Sequence, residues 1–283
     1  MAQENYRPTL PTTRIMLFVA GVLVFAVGFS LYILTAQTDR YFSWTVASLL
    51  TAAFLGGSYW SAAVLEFLSG RERLWINSRP SIPAVTIFTF LTLIVTLMHV
   101  DKFHFNAPLP ITRAGTWFWL IVYVSVPVIL TVLFILQVRA PGKDPARRFP
   151  LARWVRILLI VLAGLFLLIG ASMLVAPLTV APLWPWGLSA LTGRAVGAWL
   201  IGLGIVTGQA AWENDRLRVR SVMASLVAFS LLQLLALARY GSELALDKPS
   251  SWLYILILLL LSLIGIYETL KARALSGEEP PGS

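Results

Sequence analysis

The sequence has no cysteine and few charged residues. Without cysteine, disulfides, CxxC redox centres, thiolate metal sites and thioether-linked haem are all excluded. Charged residues make up 12% of the 283 residues, whereas soluble domains contain roughly 25%. So few charges cannot cover a water-facing surface, and they lie between long apolar runs, with a mean hydropathy of +0.80. The sequence therefore predicts an all-α integral membrane protein.

Familiar catalytic and nucleotide-binding motifs are also missing. No P-loop, HExxH, GxSxG, EF-hand loop or Rossmann glycine pattern occurs. The apolar runs contain almost no ionisable groups. Glu66 and Glu268 lie near the predicted cytoplasmic ends of their runs, where we expect a carboxylate to reach water. This pattern argues against a proton- or sodium-coupled pump with a carboxylate at the bilayer centre.

Eight apolar segments are long enough to cross a bilayer. They cover residues 15–36, 45–69, 81–100, 116–138, 155–175, 195–212, 222–238 and 252–270. The first is longer than the apolar region of a signal peptide, which has about 7–15 residues and ends in a cleavage site. It is therefore predicted to be an uncleaved span.

Lysine and arginine are divided unequally between the connecting loops. Sixteen lie in the terminal segments and in the second, fourth and sixth loops, and six lie in the other loops. The positive-inside rule therefore predicts a plasma or inner membrane protein with both termini in the cytoplasm. The net charge is +9. The basic residues do not form a stripe on a polar domain, as they would in a nucleic-acid-binding protein. The predicted partners are therefore the lipid bilayer and anionic headgroups at the cytoplasmic face, with no nucleic acid.

The two halves of the sequence resemble each other when the second is aligned with the first at a slowly decreasing offset. The matched pairs include Arg14 with Arg156, Gly28 with Gly170, Trp44 with Trp186, Thr51 with Thr192, Gly56 with Gly197, Arg79 with Arg220 and Trp117 with Trp252. Four spans per unit is an even number, so both copies point the same way. The sequence therefore predicts two parallel four-helix repeats related by a pseudo-twofold axis along the membrane normal.

This duplication predicts the organisation of the chain. A first four-span repeat covers residues 1–138, and a second covers residues 155–275. A basic cytoplasmic linker over 139–154 joins them, since it combines proline, glycine and dense charge. Residues 276–283 are predicted to be a disordered polar tail.

Glycines and tryptophans suggest where the helices meet each other and the membrane surface. Close helix contacts are predicted by Gly56, Gly57, Gly197, Gly202, Gly204 and Gly208, and we assign the second and sixth spans to the interface between the repeats. Nine tryptophans near the predicted membrane surfaces favour an interfacial belt. Trp60 and Trp199 lie deeper, and either face lipid or line a cavity in the seam between the repeats.

The predicted outer loops contain the polar residues that could form a site. One hypothesis makes His99 and His104 ligands or general bases, with Asp101 orienting them. The alternative is a loop anchored by interfacial aromatics, in which Asp39–Arg40 and Asp101–Lys102 are surface ion pairs. The full candidate set is Asp39, Arg40, Trp44, His99, Asp101, His104, Trp186, Arg194, Arg239 and Tyr240. No third metal ligand is evident, so neither a metal nor a cofactor is predicted.

Three functions are compatible with this sequence. The favoured hypothesis is binding or transport of a neutral or lipid-like small molecule at a seam that opens to the outer face. A second is an accessory or structural subunit that contacts another membrane protein. A third is a membrane enzyme with an outer-face site built from His99, Asp101 and His104.

Overall fold

The computed structural model describes residues 5–278, which form an all-helical bundle. Its long helices are α1 (Pro11–Tyr32), α2 (Leu49–Arg71), α3 (Ile82–Met98), α4 (Pro110–Arg139), α5 (Arg153–Val175), α6 (Ala190–Glu213), α7 (Arg220–Tyr240) and α8 (Pro249–Glu278). Each predicted apolar segment coincides with one of them. Helix α8 extends into the predicted tail, and residues 279–283 lie outside the described residues.

Six helices are long and apolar enough to cross a membrane, namely α1 and α4 to α8. Helix α3 is apolar but has only 17 residues, or about 25 Å at ~1.5 Å per residue. Helix α2 has 23 residues, but it includes Glu66 and several glycines and serines. Most of its residues are buried by other helices, so it needs fewer apolar side chains than a lipid-facing helix. The fold is that of a membrane-embedded protein in contact with lipid.

The helices of the two halves pack in matching pairs. Helix α1 packs along α2, and α5 packs along α6. Helix α2 also packs on α7, as α6 packs on α3, so each half contributes a helix to the other. The outer pairs are α3 with α4 and α7 with α8. Helices α2 and α6 make few direct contacts with each other, which leaves space between them at the centre of the bundle.

Glycine permits the closest of these contacts. A Cβ atom on Gly56 of α2 would lie 2.6 Å from the backbone nitrogen of Tyr32 in α1. A Cβ on Gly197 of α6 would lie 2.8 Å from the carbonyl oxygen of Gly170 in α5. Backbones can approach this closely only where no side chain separates them.

Most of these glycines pack within their own half of the chain. Gly56, Gly197, Gly204 and Gly208 face the preceding long helix, and a contact between the halves is made by Gly57, beside Gln233, and by Gly202, beside Phe88. These four glycines therefore pack within one half, although α2 and α6 themselves contact α7 and α3 of the other half. Each half contains a tight helix pair, and α7 and α3 join the two pairs.

Two ion pairs link the halves at the end of the bundle formed by residues 5–14, 71–82, 139–153 and 213–220, here called the basic end. Arg220 donates to Glu72 from Nε at 2.7 Å and from Nη2 at 2.9 Å. Arg79 Nε donates to Glu213 at 2.7 Å. Charge-assisted bonds of this kind are stronger than neutral ones. The halves exchange partners, because aligning Arg79 with Arg220 also aligns Glu72 with Glu213.

The segment that joins α4 to α5 is fixed at the basic end. The carboxylate of Asp215 accepts the backbone N–H groups of Arg148 and Phe149 at 2.8 and 3.0 Å. On the other side, the N–H of Arg7 donates to the carbonyl of Lys143 at 3.0 Å. The segment is therefore held by both the N-terminal segment before α1 and the loop between α6 and α7.

Replacing Gly56 by alanine tests the close contact between α1 and α2. We expect Gly56→Ala to lower the free energy of unfolding by about 1–3 kcal/mol, because the added methyl group overpacks the helix contact. The matched control is Gly164→Ala in α5, where a Cβ meets nothing within 4 Å; it should be neutral or stabilising by roughly 0.5 kcal/mol. Equal unfolding energies for both variants, measured in mild detergent, would contradict the assignment.

Candidate functional site

The predicted site residues lie at the end opposite the basic end, where they make separate contacts. His104 faces the loop before α2, with Nδ1 3.0 Å from the carbonyl oxygen of Phe42 and Nε2 3.1 Å from Oγ1 of Thr45. Both ring nitrogens thus have partners within the chain. His104 therefore holds this loop in place through both of its ring nitrogens.

His99 contacts a different helix. Its Nε2 lies 2.9 Å from Nη1 of Arg194, and Nε of Arg194 donates to the carbonyl oxygen of Leu174 at 3.0 Å. Partial burial and then the charge of Arg194 hold the pKa of His99 below its usual value, against a smaller opposing effect of Asp101. The neutral imidazole can accept the arginine hydrogen bond, so this pair joins the end of α3 to α6.

The acidic residues of the candidate set form exposed ion pairs with their sequence neighbours. Asp101 lies 3.1 Å from Lys102 and Asp39 lies 3.8 Å from Arg40, with all four side chains more than half exposed. This is the arrangement expected from the alternative hypothesis of surface pairs. Such pairs contribute little to stability.

Arg239 and Tyr240 fasten the end of α7 to the end of α1. Arg239 donates to the carbonyl oxygen of Tyr32 and to the Tyr240 hydroxyl, each at 2.9 Å. The Tyr240 hydroxyl also lies 2.7 Å from Oγ1 of Thr35. Together with the preceding contacts, this separates the ten candidate residues into several local groups.

Trp44 and Trp186 belong to the core. Trp186 is 1% exposed and donates its Nε1 hydrogen to Thr51 at 2.9 Å. Trp44 is 3% exposed and packs edge-on against Trp119, with ring centroids 5.2 Å apart. The belt interpretation was wrong for five tryptophans, namely Trp44, Trp75, Trp119, Trp184 and Trp186, which are all buried. Trp117, Trp154, Trp212 and Trp252 are 47–60% exposed, as a belt requires.

A cavity of about 70 Å³ lies between α2 and α6, the two helices between which the sequence predicts a seam. Its wall is almost entirely apolar and includes Ala20, Leu23, Val24, Ala62, Leu65, Ala84, Val85, Phe88, Val122, Val126, Trp199, Gly202, Leu203 and Val206. The polar groups of the wall are Ser61, Glu66, Thr89, Tyr123 and Ser225. Trp199 therefore lines the cavity, which was one of its two predicted positions.

Aromatic side chains fill the space between this cavity and the end of the bundle that contains His99 and His104. Trp199 packs on Phe88 with ring centroids 4.0 Å apart, and on Tyr59 at 4.8 Å. The void beyond them, next to Trp44 and Trp119, measures about 10 Å³, which is the minimum for one water molecule. A ligand approaching from this end would have to displace these rings.

Glu66 supplies the carboxyl group of the cavity wall, and it is buried. Only 1% of Glu66 is exposed, and its Oε2 has no hydrogen-bond partner within residues 5–278. The expectation that Glu66 and Glu268 reach water was therefore wrong. Neighbouring helices cover both residues, and Glu268, also 1% exposed, is paired with Arg216 at 2.8 Å. Hydropathy alone does not distinguish these two glutamates.

Two lateral clefts lie between helices at the side of the bundle. One, of about 270 Å³, separates α1 from α4, and the other, of about 210 Å³, separates α5 from α8. Matching wall residues are Val24 and Phe166, Val27 and Ile169, Gly115 and Ser250, Phe118 and Leu253, Trp119 and Tyr254, and Val122 and Ile257. These pairs follow the alignment of the two halves found in the sequence. The clefts are thus equivalent in position.

No protein-family model matches the chain, and neither a curated protein nor a solved structure is significantly similar to it. Within the described residues, no three His, Asp or Glu side chains lie close enough together to hold a metal ion. The cavity and the two clefts are the features from which a function can be inferred.

The pKa of His99 makes a prediction about acid stability. Because this pKa is lowered in the folded protein, protonation costs the folded state more than the unfolded state. The contribution of neutral His99 to the free energy of unfolding is complete above the unfolded pKa of about 6.5. It is lost as the pH falls from there through the lower pKa of the folded state. The midpoint temperature of thermal unfolding should therefore fall more between pH 7.5 and 5.5 for the wild type than for His99→Gln. Parallel pH profiles would show that His99 makes no such contribution.

Proposed function

We propose that the protein binds or transports a neutral or lipid-like small molecule that enters from the bilayer through a lateral cleft. The observation behind this proposal is the shared wall between the α1–α4 cleft and the central cavity. Leu23, Val24, Val122 and Tyr123 line both. A molecule in the cleft is therefore one side chain away from the cavity.

The composition of the cleft supports lateral entry. Ile111 and Phe118 line its mouth and are 64% and 55% exposed, as expected for side chains that meet lipid tails. The route from the predicted outer face is blocked by the rings around Trp199. Of the two routes, the lateral one requires less rearrangement, so it replaces the outer opening in our proposal.

We further propose that all eight helices span the membrane as two parallel four-helix repeats. Equivalent contacts support the duplication. Arg14 donates to the carbonyl oxygen of Gly70 at 3.0 Å, and Arg156 donates to that of Ala211 at 3.1 Å. Both the donors and the acceptors of these two bonds correspond when the halves are aligned. The reciprocal ion pairs at the basic end and the matched clefts follow the same alignment.

The proposed orientation places the basic end in the cytoplasm. This end contains most of the lysines and arginines, which favours the cytoplasmic face of a plasma or inner membrane and contact with anionic headgroups. The alternative of an outer-face enzyme has no support from the contacts of His99, Asp101 and His104, which bond to different partners. An accessory role would be favoured if a second membrane protein remained bound through purification.

Photo-crosslinking tests the lateral cleft. A long-chain alcohol with a diazirine near its chain end should label peptides of α1 and α4 in native membranes. Gly115→Phe should remove most of this labelling, because Gly115 lines the cleft and has open space for a larger side chain.

The matched control is Gly164→Phe, at an open glycine that does not line either cleft. It should leave the labelling of α1 and α4 unchanged. Labelling that is spread evenly over all lipid-facing helices, or that Gly115→Phe does not reduce, would overturn the proposed function.

Single cysteines test the orientation, since the natural chain has none. Asn106→Cys and Ala146→Cys lie at opposite ends of the bundle, and both positions are exposed. A membrane-impermeant maleimide should label Asn106→Cys in intact cells and Ala146→Cys only after permeabilisation. The reverse pattern would place the termini outside, and labelling of both in intact cells would contradict the parallel eight-span arrangement.

A further inference from the structure

We infer that the central cavity recognises the protonated primary amine of a single-chain amphiphile, with Glu66 as its anionic partner. The apolar chain of this ligand would occupy the α1–α4 cleft. The inference rests on the proposed function and names the ligand class for the same site.

Glu66 has a carboxyl oxygen without a hydrogen-bond partner among the described residues. Glu66 lines the cavity, is 1% exposed, and its Oε2 has no partner within the described part of the chain. Among the described residues that line the cavity, none is a lysine or an arginine. A carboxylate buried without a counter-charge is costly, and a bound cation removes that cost.

The serine and threonine hydroxyl groups of the cavity wall already donate their hydrogens to backbone carbonyl oxygens. Ser61 donates to the carbonyl oxygen of Ser58 at 2.7 Å, and Ser225 donates to that of Ser61 at 2.8 Å. Thr89 donates to the carbonyl oxygen of Val85 at 2.9 Å. Because a hydroxyl has one hydrogen and two lone pairs, these groups can offer only lone pairs to a ligand.

The polar groups of the cavity wall therefore favour a ligand with several hydrogen-bond donors. An ammonium group has three N–H donors, no acceptor and a positive charge, so it complements both the carboxylate and the hydroxyl oxygens. An alcohol supplies one donor and no charge. The Tyr123 hydroxyl of the wall lies 2.7 Å from that of Tyr59, and this pair uses one of its two hydrogens on itself.

The size of the two spaces fits such a ligand. The cavity of about 70 Å³ is several times the roughly 10–15 Å³ that one water molecule needs. It therefore has room for an ammonium group. The adjoining cleft, of about 270 Å³, is lined mainly by apolar side chains and suits an alkyl chain.

The site belongs to one half of the chain. The alignment that pairs Thr51 with Thr192 also pairs Glu66 with Thr207, whose hydroxyl donates to the carbonyl oxygen of Leu203 at 2.7 Å. The second half thus has a matching cleft between α5 and α8 but no carboxylate at the equivalent position. One amine per chain is the expected stoichiometry.

The experiment compares four probes with the same twelve-carbon chain, bound to the full-length protein and measured by native mass spectrometry at pH 7. They are dodecylamine, dodecanol, dodecyltrimethylammonium and dodecanoic acid. We expect dodecylamine to bind about tenfold or more tightly than the others, as a charge-assisted hydrogen bond would provide. The trimethylammonium probe has the positive charge but no N–H donors, so it separates the contribution of charge from that of hydrogen bonding.

Three variants locate the preference. Glu66→Gln keeps the shape of the side chain, and Glu66→Thr introduces the residue found at the corresponding position of α6. In both variants, the ratio of dodecylamine affinity to dodecanol affinity should fall by about tenfold. Glu268→Gln changes a second buried glutamate, which does not line the cavity, and it should keep the preference.

The outcomes distinguish this inference from the proposed function. Equal binding of dodecylamine and dodecanol, equal binding of the trimethylammonium probe, or an unchanged preference in a folded Glu66 variant would overturn the amine inference, while leaving a lipid-binding function in place. If no probe binds the wild-type protein, the proposed function fails as well.

Discussion

Direct contact between helix backbones is the constraint on which the rest of this structure depends. Lipid provides no hydrophobic drive for helices to associate, so they must pack closely or share hydrogen bonds. Gly56 allows α2 to approach α1, and Gly197 allows α6 to approach α5. The two tight pairs are then joined through α7 and α3. Because α2 and α6 are each surrounded by other partners, they make few contacts with each other, and side chains alone must close the space between them.

These side chains close that space unevenly. Large rings, such as Trp199 and Phe88, fill it on one side, whereas small residues such as Gly202 and Ser225 leave a cavity on the other. The cavity wall also differs between the halves, because the carboxyl group of Glu66 in α2 is aligned with Thr207 in α6. The two halves thus form two clefts with matching wall residues, and only the space beside the α1–α4 cleft contains a carboxyl group at the aligned position.

The helix positions could be predicted well from the sequence, because apolar segments of membrane-spanning length are a strong signal. The alignment that matched Arg79 with Arg220 also relates Glu72 to Glu213, so the reciprocal ion pairs could have been found from sequence. The site could not be predicted in the same way. His99 and His104 are near in sequence yet contact different partners. The burial of Glu66 depends on which helices surround α2, which hydropathy does not report.

The hydrogen bonds at the basic end impose an order on assembly. The segment before α1 bonds to Lys143, and the linker containing Lys143 is held by Asp215, far along the second half. During synthesis, α1 enters the membrane while both of these partners are still missing. The segment before α1 can bond to Arg73 and Trp75 once the loop between α2 and α3 has been made, but its bond to Lys143 must wait until α4 is complete. The segment before α1 is therefore anchored in two stages, and a chain truncated before Asp215 would keep the first anchor while losing the residue that holds the linker.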